Sequence, residues 1–160
     1  MKNLLKLSFF AALFLVFSCA DPCDDIVCEN GAACDDGTCL CENGYEGDNC
    51  EIETRVKYYG TFAGVFVCPD TSKTDYIVTF NEGPEINQLL LINPINLSVI
   101  DTATLVGNIL TTPIDTFDLD GLIFEINLEF TFTSEDEAEA LFNTSLEGVS
   151  QSCDATLTRQ

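Results

Sequence analysis

The side chains best suited to chemistry in this 160-residue chain are its nine cysteines; histidine is absent. A thiol can be acylated, oxidised to a disulfide or used as a metal ligand, and spacing decides among these fates. The nine divide as one, six and two. Cys19 stands alone, Cys23, Cys28, Cys34, Cys39, Cys41 and Cys50 lie close together, and Cys68 and Cys153 are far apart. Without histidine there is no histidine-based triad and no imidazole ligand for a metal. No G-x-S-x-G elbow, phosphate-cradling glycine loop or dinucleotide fingerprint occurs. Glu125 and Glu129 are a tempting carboxylate pair. On one strand they stand about 13 Å apart at ~3.3 Å per residue, beyond the roughly 5–9.5 Å of glycosidic chemistry. They read as a solvated strand face. Asp118-Leu119-Asp120-Gly121 has the look of part of a calcium loop. That register would put Thr116 and Asn127 where the loop needs its first and last carboxylates. The sequence therefore predicts no catalytic residue, no metal site and no cofactor.

The charge balance narrows the partners. There are 27 acidic residues against six basic ones, and removal of Lys2 and Lys6 with a leader would take the formal net charge from −21 to −23. Such a surface repels nucleic acid and anionic lipid. It suits solubility in a crowded or saline envelope, with diffuse, weak binding of divalent cations as the sharper reading.

Residues 1–18 read as an export signal, with Lys2 and Lys6 in a positive n-region and an apolar run from Leu7 to Phe17 broken only by Ser8. That run is too short to span a membrane, which takes about 20 apolar residues. Val16-Phe17-Ser18-Cys19 resembles the lipobox of bacterial lipoproteins, with Phe17 departing from the small residue usual there. The resemblance implies lipidation of Cys19, which would also account for the odd cysteine. Several acyl chains anchor stably, at about 0.8 kcal/mol per buried CH₂. Asp21, Asp24 and Asp25 just behind the lipid resemble the surface-export signals of Bacteroidota-type lipoproteins, which implies the outer membrane and its outer leaflet. An ordinary secretory signal cut near Ala20 would instead discard Cys19.

Residues 19–53 are rich in Cys, Asp and Gly and contain no Lys or Arg. So short a segment buries too little apolar surface to fold without staples. Cys23-x4-Cys28-x5-Cys34-x4-Cys39-x-Cys41-x8-Cys50, with Asn30-Gly31 and the ending Cys41-Glu42-Asn43-Gly44-Tyr45-Glu46-Gly47-Asp48-Asn49-Cys50, resembles the EGF-like domain. The resemblance implies the pairing Cys23–Cys34, Cys28–Cys39 and Cys41–Cys50. A zinc site is the competing use of these thiols, but paired C-x2-C knuckles and histidine are lacking. The family's calcium-binding pattern is matched by Asp21 and broken by Pro22 and Cys19. The Asp35-Asp36-Gly37-Thr38 segment is also too short to carry its share.

Residues 54–160 carry the pattern of an all-β domain, with short Val-, Ile-, Leu-, Phe- and Thr-rich runs between turn residues. The clearest strand is Leu122 to Phe132, where apolar side chains alternate over the whole run. Further strands are expected at Tyr59–Cys68, Tyr76–Asn81, Gln88–Asn93, Ala103–Val106, Ile109–Thr112, Ala140–Leu146 and Gln151–Arg159. A weak helical period runs from Glu135 to Leu141. Turns are expected at Asp70-Thr71-Ser72, Glu82-Gly83-Pro84, Asn93-Pro94, Gly107-Asn108 and Asp120-Gly121. About eight such strands make an antiparallel meander, closed into a barrel or packed as a compact sandwich. Cys68 and Cys153 fall at the end of the first strand and the start of the last. Their pairing would staple the closure and set Phe66 near Ala155 and Gly64 near Leu157. The opening Tyr58-Tyr59-Gly60-Thr61-Phe62 and the ending Ser152-Cys153-Asp154-Ala155-Thr156-Leu157-Thr158 resemble small lipocalin-like domains of Bacteroidota-type lipoproteins.

The expectation is thus a mainly β, lipid-anchored surface protein: signal 1–18, EGF-like module 19–53, antiparallel barrel 54–160. Its role would be non-enzymatic binding or adhesion with a protein or glycan partner. The alternative is a lipocalin-like carrier with an apolar ligand inside the barrel. The interior discriminates, because Phe124, Ile126, Leu128 and Phe130 could simply fill a small barrel.

Overall fold

The computed structural model describes residues 21–92 and 100–160, apart from the side chains of Ile100 and Leu119. The export signal, Cys19 and the Asn93-Pro94 turn lie outside the described residues. Two compact units emerge, one of residues 21–42 and 47–51 and one of residues 43–46 with those from 52 onward. No helix among the described residues is long and apolar enough to cross a membrane.

In the cysteine-rich unit, β1 (Ala33–Asp35) and β2 (Thr38–Leu40) form a hairpin. Asp36 and Gly37 make its turn with φ of 46° and 81°, a conformation Asp tolerates and Gly adopts freely. The disulfides are Cys23–Cys34, Cys28–Cys39 and Cys41–Cys50. Cys50 is fully buried, and its carbonyl accepts from Asn30 Nδ2 at 2.8 Å. Asp21 Oδ1 accepts from the Cys23 amide at 2.9 Å, so that carboxylate is engaged in a local turn.

The second unit contains a short pair, β3 (Tyr45–Glu46) with β4 (Ile52–Glu53), a 3-10 helix over Thr54–Tyr58, and nine further strands. These are β5 (Gly60–Val67), β6 (Lys73–Glu82), β7 (Gln88–Ile92), β8 (Ile100–Val106), β9 (Ile109–Thr111), β10 (Asp115–Leu119), β11 (Leu122–Phe132), β12 (Glu137–Leu146) and β13 (Val149–Arg159). Each pairs antiparallel with the next, except β9 with β10, and β13 pairs back onto β5. β9 also pairs with β11, which closes an eight-stranded barrel and sets the sandwich aside. The Leu122–Phe132 strand has the bounds its alternation predicts. The weak helical period at Glu135–Leu141 is overruled: Glu137–Leu146 pairs along its whole length with β13.

The closure has the expected register. Gly64 faces Leu157 and Val67 faces Asp154, with Cys68 bonded to Cys153 just beyond. A side chain at Gly64 would sit 2.7 Å from Leu157 Cδ2, so the two strands approach there only because that Cβ is missing.

β9 and β10 run alongside one strand, β11. Thr111 faces Glu129 and Asp115 faces Ile126, so Pro113 and Ile114 together oppose Asn127 alone. This is a one-residue bulge, and proline, lacking an N–H, is at home in it. The bulge shifts the alternation: Leu110 and Thr112 point inward before it, Asp115 and Phe117 after it. β10 was not foreseen as a strand. Its hairpin with β11 turns at Asp120 and Gly121, φ 56° and 90°, and Asp118 Oδ1 accepts the Gly121 amide at 2.8 Å. The calcium-loop look of this segment is therefore turn chemistry.

The barrel end from which β5 starts is filled. Tyr58 of the 3-10 helix stacks on Phe132 with centroids 4.0 Å apart. Phe62, Phe80 and Phe130 pack edge to face around them at 5.1–5.9 Å. The Arg159 guanidinium lies 4.8 Å over the Phe62 ring and bonds Asp136 Oδ1 and the carbonyls of Lys57 and Tyr59. Arg55, only 4% exposed, pairs with Glu53 at 2.8 Å and Glu82 at 3.0 Å and donates to the carbonyls of Gly83 and Glu85.

Candidate functional site

The other half of the barrel is not filled by the described residues. At the end where β5 finishes lies a cavity of about 380 Å³, within the roughly 300–1,000 Å³ of small-molecule sites. Its apolar wall comes from Phe66, Leu91, Ile126, Leu128, Phe142 and the Cys68–Cys153 disulfide. Phe66 anchors this wall, its ring 5.0 Å from Tyr76 and 6.1 Å from Phe142. Thr74, Tyr76, Asp101, Thr112, Asp115 and Asn127 add polar groups. Phe117, 49% exposed, sits at the lip.

Strand alternation places these groups. On β8, Ala103 and Leu105 are buried and Asp101 continues their inward row. On β6, Val78 and Phe80 are buried and Tyr76 and Thr74 continue theirs. Both rows thus turn from apolar to polar toward the cavity end. On β10 the bulge brings Asp115 and Phe117 inward.

The environment moves two of the titrating groups. Burial pushes the Tyr76 phenol up to about 12, and the Asp101 charge acts the same way. Tyr76 is therefore a protonated donor at neutral pH. Burial also raises the Asp101 carboxyl, the neighbouring Asp115 charge adds to it, and a 2.8 Å bond from the Thr102 amide opposes both.

No Lys or Arg among the described residues lines the cavity. Of the four basic residues described, Arg55, Lys57 and Arg159 gather around the filled end. Lys73 faces Val67, on the opposite strand face from the inward pair Phe66–Thr74. Residues 93–99 contain no charged side chain.

The cysteines Cys23, Cys28, Cys34, Cys39, Cys41 and Cys50 are all in disulfides and do not line the cavity, whereas Cys68 and Cys153 form part of its wall. Glu125 and Glu129 do not line it. Tyr76, Asp101 and Asp115 went unrecognised in the sequence. The available signal was a charge at an inward position of an alternating strand, visible only once β8 is extended back to Ile100 and β10 is recognised. No group of three or more acidic or cysteine side chains among the described residues is arranged to hold a metal ion.

Fold and site together define an antiparallel barrel with a ligand-sized internal cavity. No family model matches this chain, and no curated protein matches it. A solved structure described as "Structure of EF1p2_mFAP2b bound to DFHBI" is similar over 65% of this chain and 94% of that one, at 13% identity and a TM-score of 0.45.

Proposed function

We propose that this protein is a non-enzymatic binding protein that carries a small, mainly apolar molecule in the open half of its barrel. The observation behind this reading is the division of the interior: aromatic rings fill one half, and a cavity with an apolar wall occupies the other. Ile126 and Leu128 line the cavity, and Phe130 on the same strand is fully buried in the filled half. The wall offers a molecule area to bury, at about 0.8 kcal/mol per CH₂. The chain's EGF-like character and its lipid anchor at Cys19, at the outer membrane surface, belong to the same proposal. They are supported by the three disulfides of the cysteine-rich unit and by the lipobox-like leader.

The test is native mass spectrometry of the full oxidised chain. The expected result is a co-purified apolar mass that leaves on denaturation and is missing from Ile126→Trp, whose indole would occupy the cavity. A clean mass with four disulfides, together with no uptake of an apolar fluorophore, would overturn the carrier reading and turn attention to a protein or glycan partner at the outer surface.

A further inference from the structure

The carrier reading leaves the charge of the ligand open, and the cavity itself bears on it. Two carboxylates, Asp101 and Asp115, share a wall otherwise made of rings, aliphatic side chains, a disulfide, hydroxyls and the Asn127 amide. Asp115 sits close enough for its charge to disfavour ionisation of Asp101. Asp101 is half-buried, where a carboxylate is costly unless paired, and Asp115 is exposed at the cavity mouth beside it. The chain supplies no cationic partner among the described residues, since its cations lie at the filled end or on the outer face. The arrangement comes from the fold: the bulge at Pro113–Ile114 turns Asp115 inward, onto the cavity wall shared with Asp101. Without the extra residue, Ile114 and Thr116 would take the inward positions.

We propose that the ligand is a hydrophobic amine, with its ammonium group between Asp101 and Asp115 and its apolar body against Phe66, Leu128 and Phe142. An ammonium donates up to three hydrogen bonds and accepts none, which suits a pair of acceptors. Charge-assisted bonds of this kind are shorter and stronger than neutral ones. An anionic ligand of the same shape would meet two like charges. This inference rests on the carrier reading and adds the chemical class of its ligand.

The experiment compares three probes of one shape by titration calorimetry on the full oxidised chain: 1-naphthylmethylamine, 1-naphthylmethanol and 1-naphthoate. The amine should bind about tenfold more tightly than the alcohol, the order expected for hydrogen bonds to charged groups, and the carboxylate should bind least. Asp101→Asn and Asp115→Asn, near-isosteric changes, should each shrink the preference, and the double variant should abolish it while the alcohol still binds. Asp75→Asn, at the exposed position beside Tyr76, should leave the preference intact and so separates the site from the general negative field. Equal affinity for amine and alcohol, or a preference that survives the double variant, would overturn the amine assignment while leaving the carrier reading standing. Failure of all three probes to bind would sink both.

Discussion

Thr112 Oγ1 accepts the Leu128 amide at 2.8 Å, while the Thr112 amide donates to the Leu128 carbonyl at 2.9 Å. A side chain thus completes a ladder rung where the backbone of the bulge turns away. Thr112 is almost wholly buried, so neither group has water as an alternative partner. Thr112→Val keeps the shape and removes the acceptor, leaving the Leu128 N–H unpaired. It should lower unfolding stability by about 1–3 kcal/mol, and Thr112→Ser should recover most of that. Urea unfolding of the three proteins is the check.

The Cys68–Cys153 bond spans 85 residues and ties the end of the first barrel strand to the last strand. Constraining so long a loop removes much freedom from the unfolded chain. The double variant Cys68→Ala/Cys153→Ala should lose about 4–5 kcal/mol. Chemical denaturation should show the midpoint fall with oxidised wild type as reference, and wild type should lose the advantage in reductant.

Tyr76 gives an alkaline signature. Its phenol titrates at about 12 in the fold against 10.0 in the unfolded chain, so the folded state holds the proton longer. Its contribution is constant below pH 10. From there to about pH 12 the unfolded state binds fewer protons, and stability falls with rising pH by up to roughly 2–3 kcal/mol. Tyr76→Phe should flatten that part of the stability profile relative to wild type. Phenolate absorbance should show its late-titrating tyrosine gone.

Asp101 acts at the acidic end with the same sign. Its carboxyl is raised by burial, so the folded state holds a proton that the unfolded state releases near 3.8. Stability associated with this group is highest at low pH and falls as pH rises from the unfolded value through the folded one. Asp101→Asn should therefore be more stable than wild type at pH 7, with the difference vanishing near pH 3. Thermal unfolding across that range tests it.

Arg55 is a buried cation with two carboxylates and several backbone carbonyls as partners. Arg55→Ala would orphan the Gly83 and Glu85 carbonyls and free the segment that links β6 to β7. A loss of about 3 kcal/mol is expected, read in denaturant, with hydrogen exchange rising first at Gly83 and Gln88.

Much of this architecture was legible along the chain, because period-2 alternation and turn residues are local signals. The Leu122–Phe132 strand, the Gly107-Asn108 turn and the Cys68–Cys153 register all follow from such signals. β10 was not legible: its Asp-rich end looks like a loop, and it becomes a strand only through pairing with β11. The 3-10 helix over Thr54–Tyr58 was equally hidden, since its Tyr58 is fixed by Phe132 from far along the chain. The site was missed for a related reason. Whether Asp115 faces in or out depends on one bulged residue, and no periodicity read from the sequence alone registers a shift of one. The full alternation of β11 also overstates its burial, because Leu122 remains 42% exposed beyond the lip while Phe130 is fully enclosed.

The two halves of the barrel interior divide labour between different residues. Phe62, Phe80, Phe130 and Phe132 hold the barrel together at one end, and Phe66, Tyr76, Asp101 and Asp115 dress the other. Substitutions in the second set need not disturb the first. A library confined to Asp115 and Phe117, exposed positions of the open half, would therefore vary the cavity mouth while leaving the aromatic packing of the filled half in place.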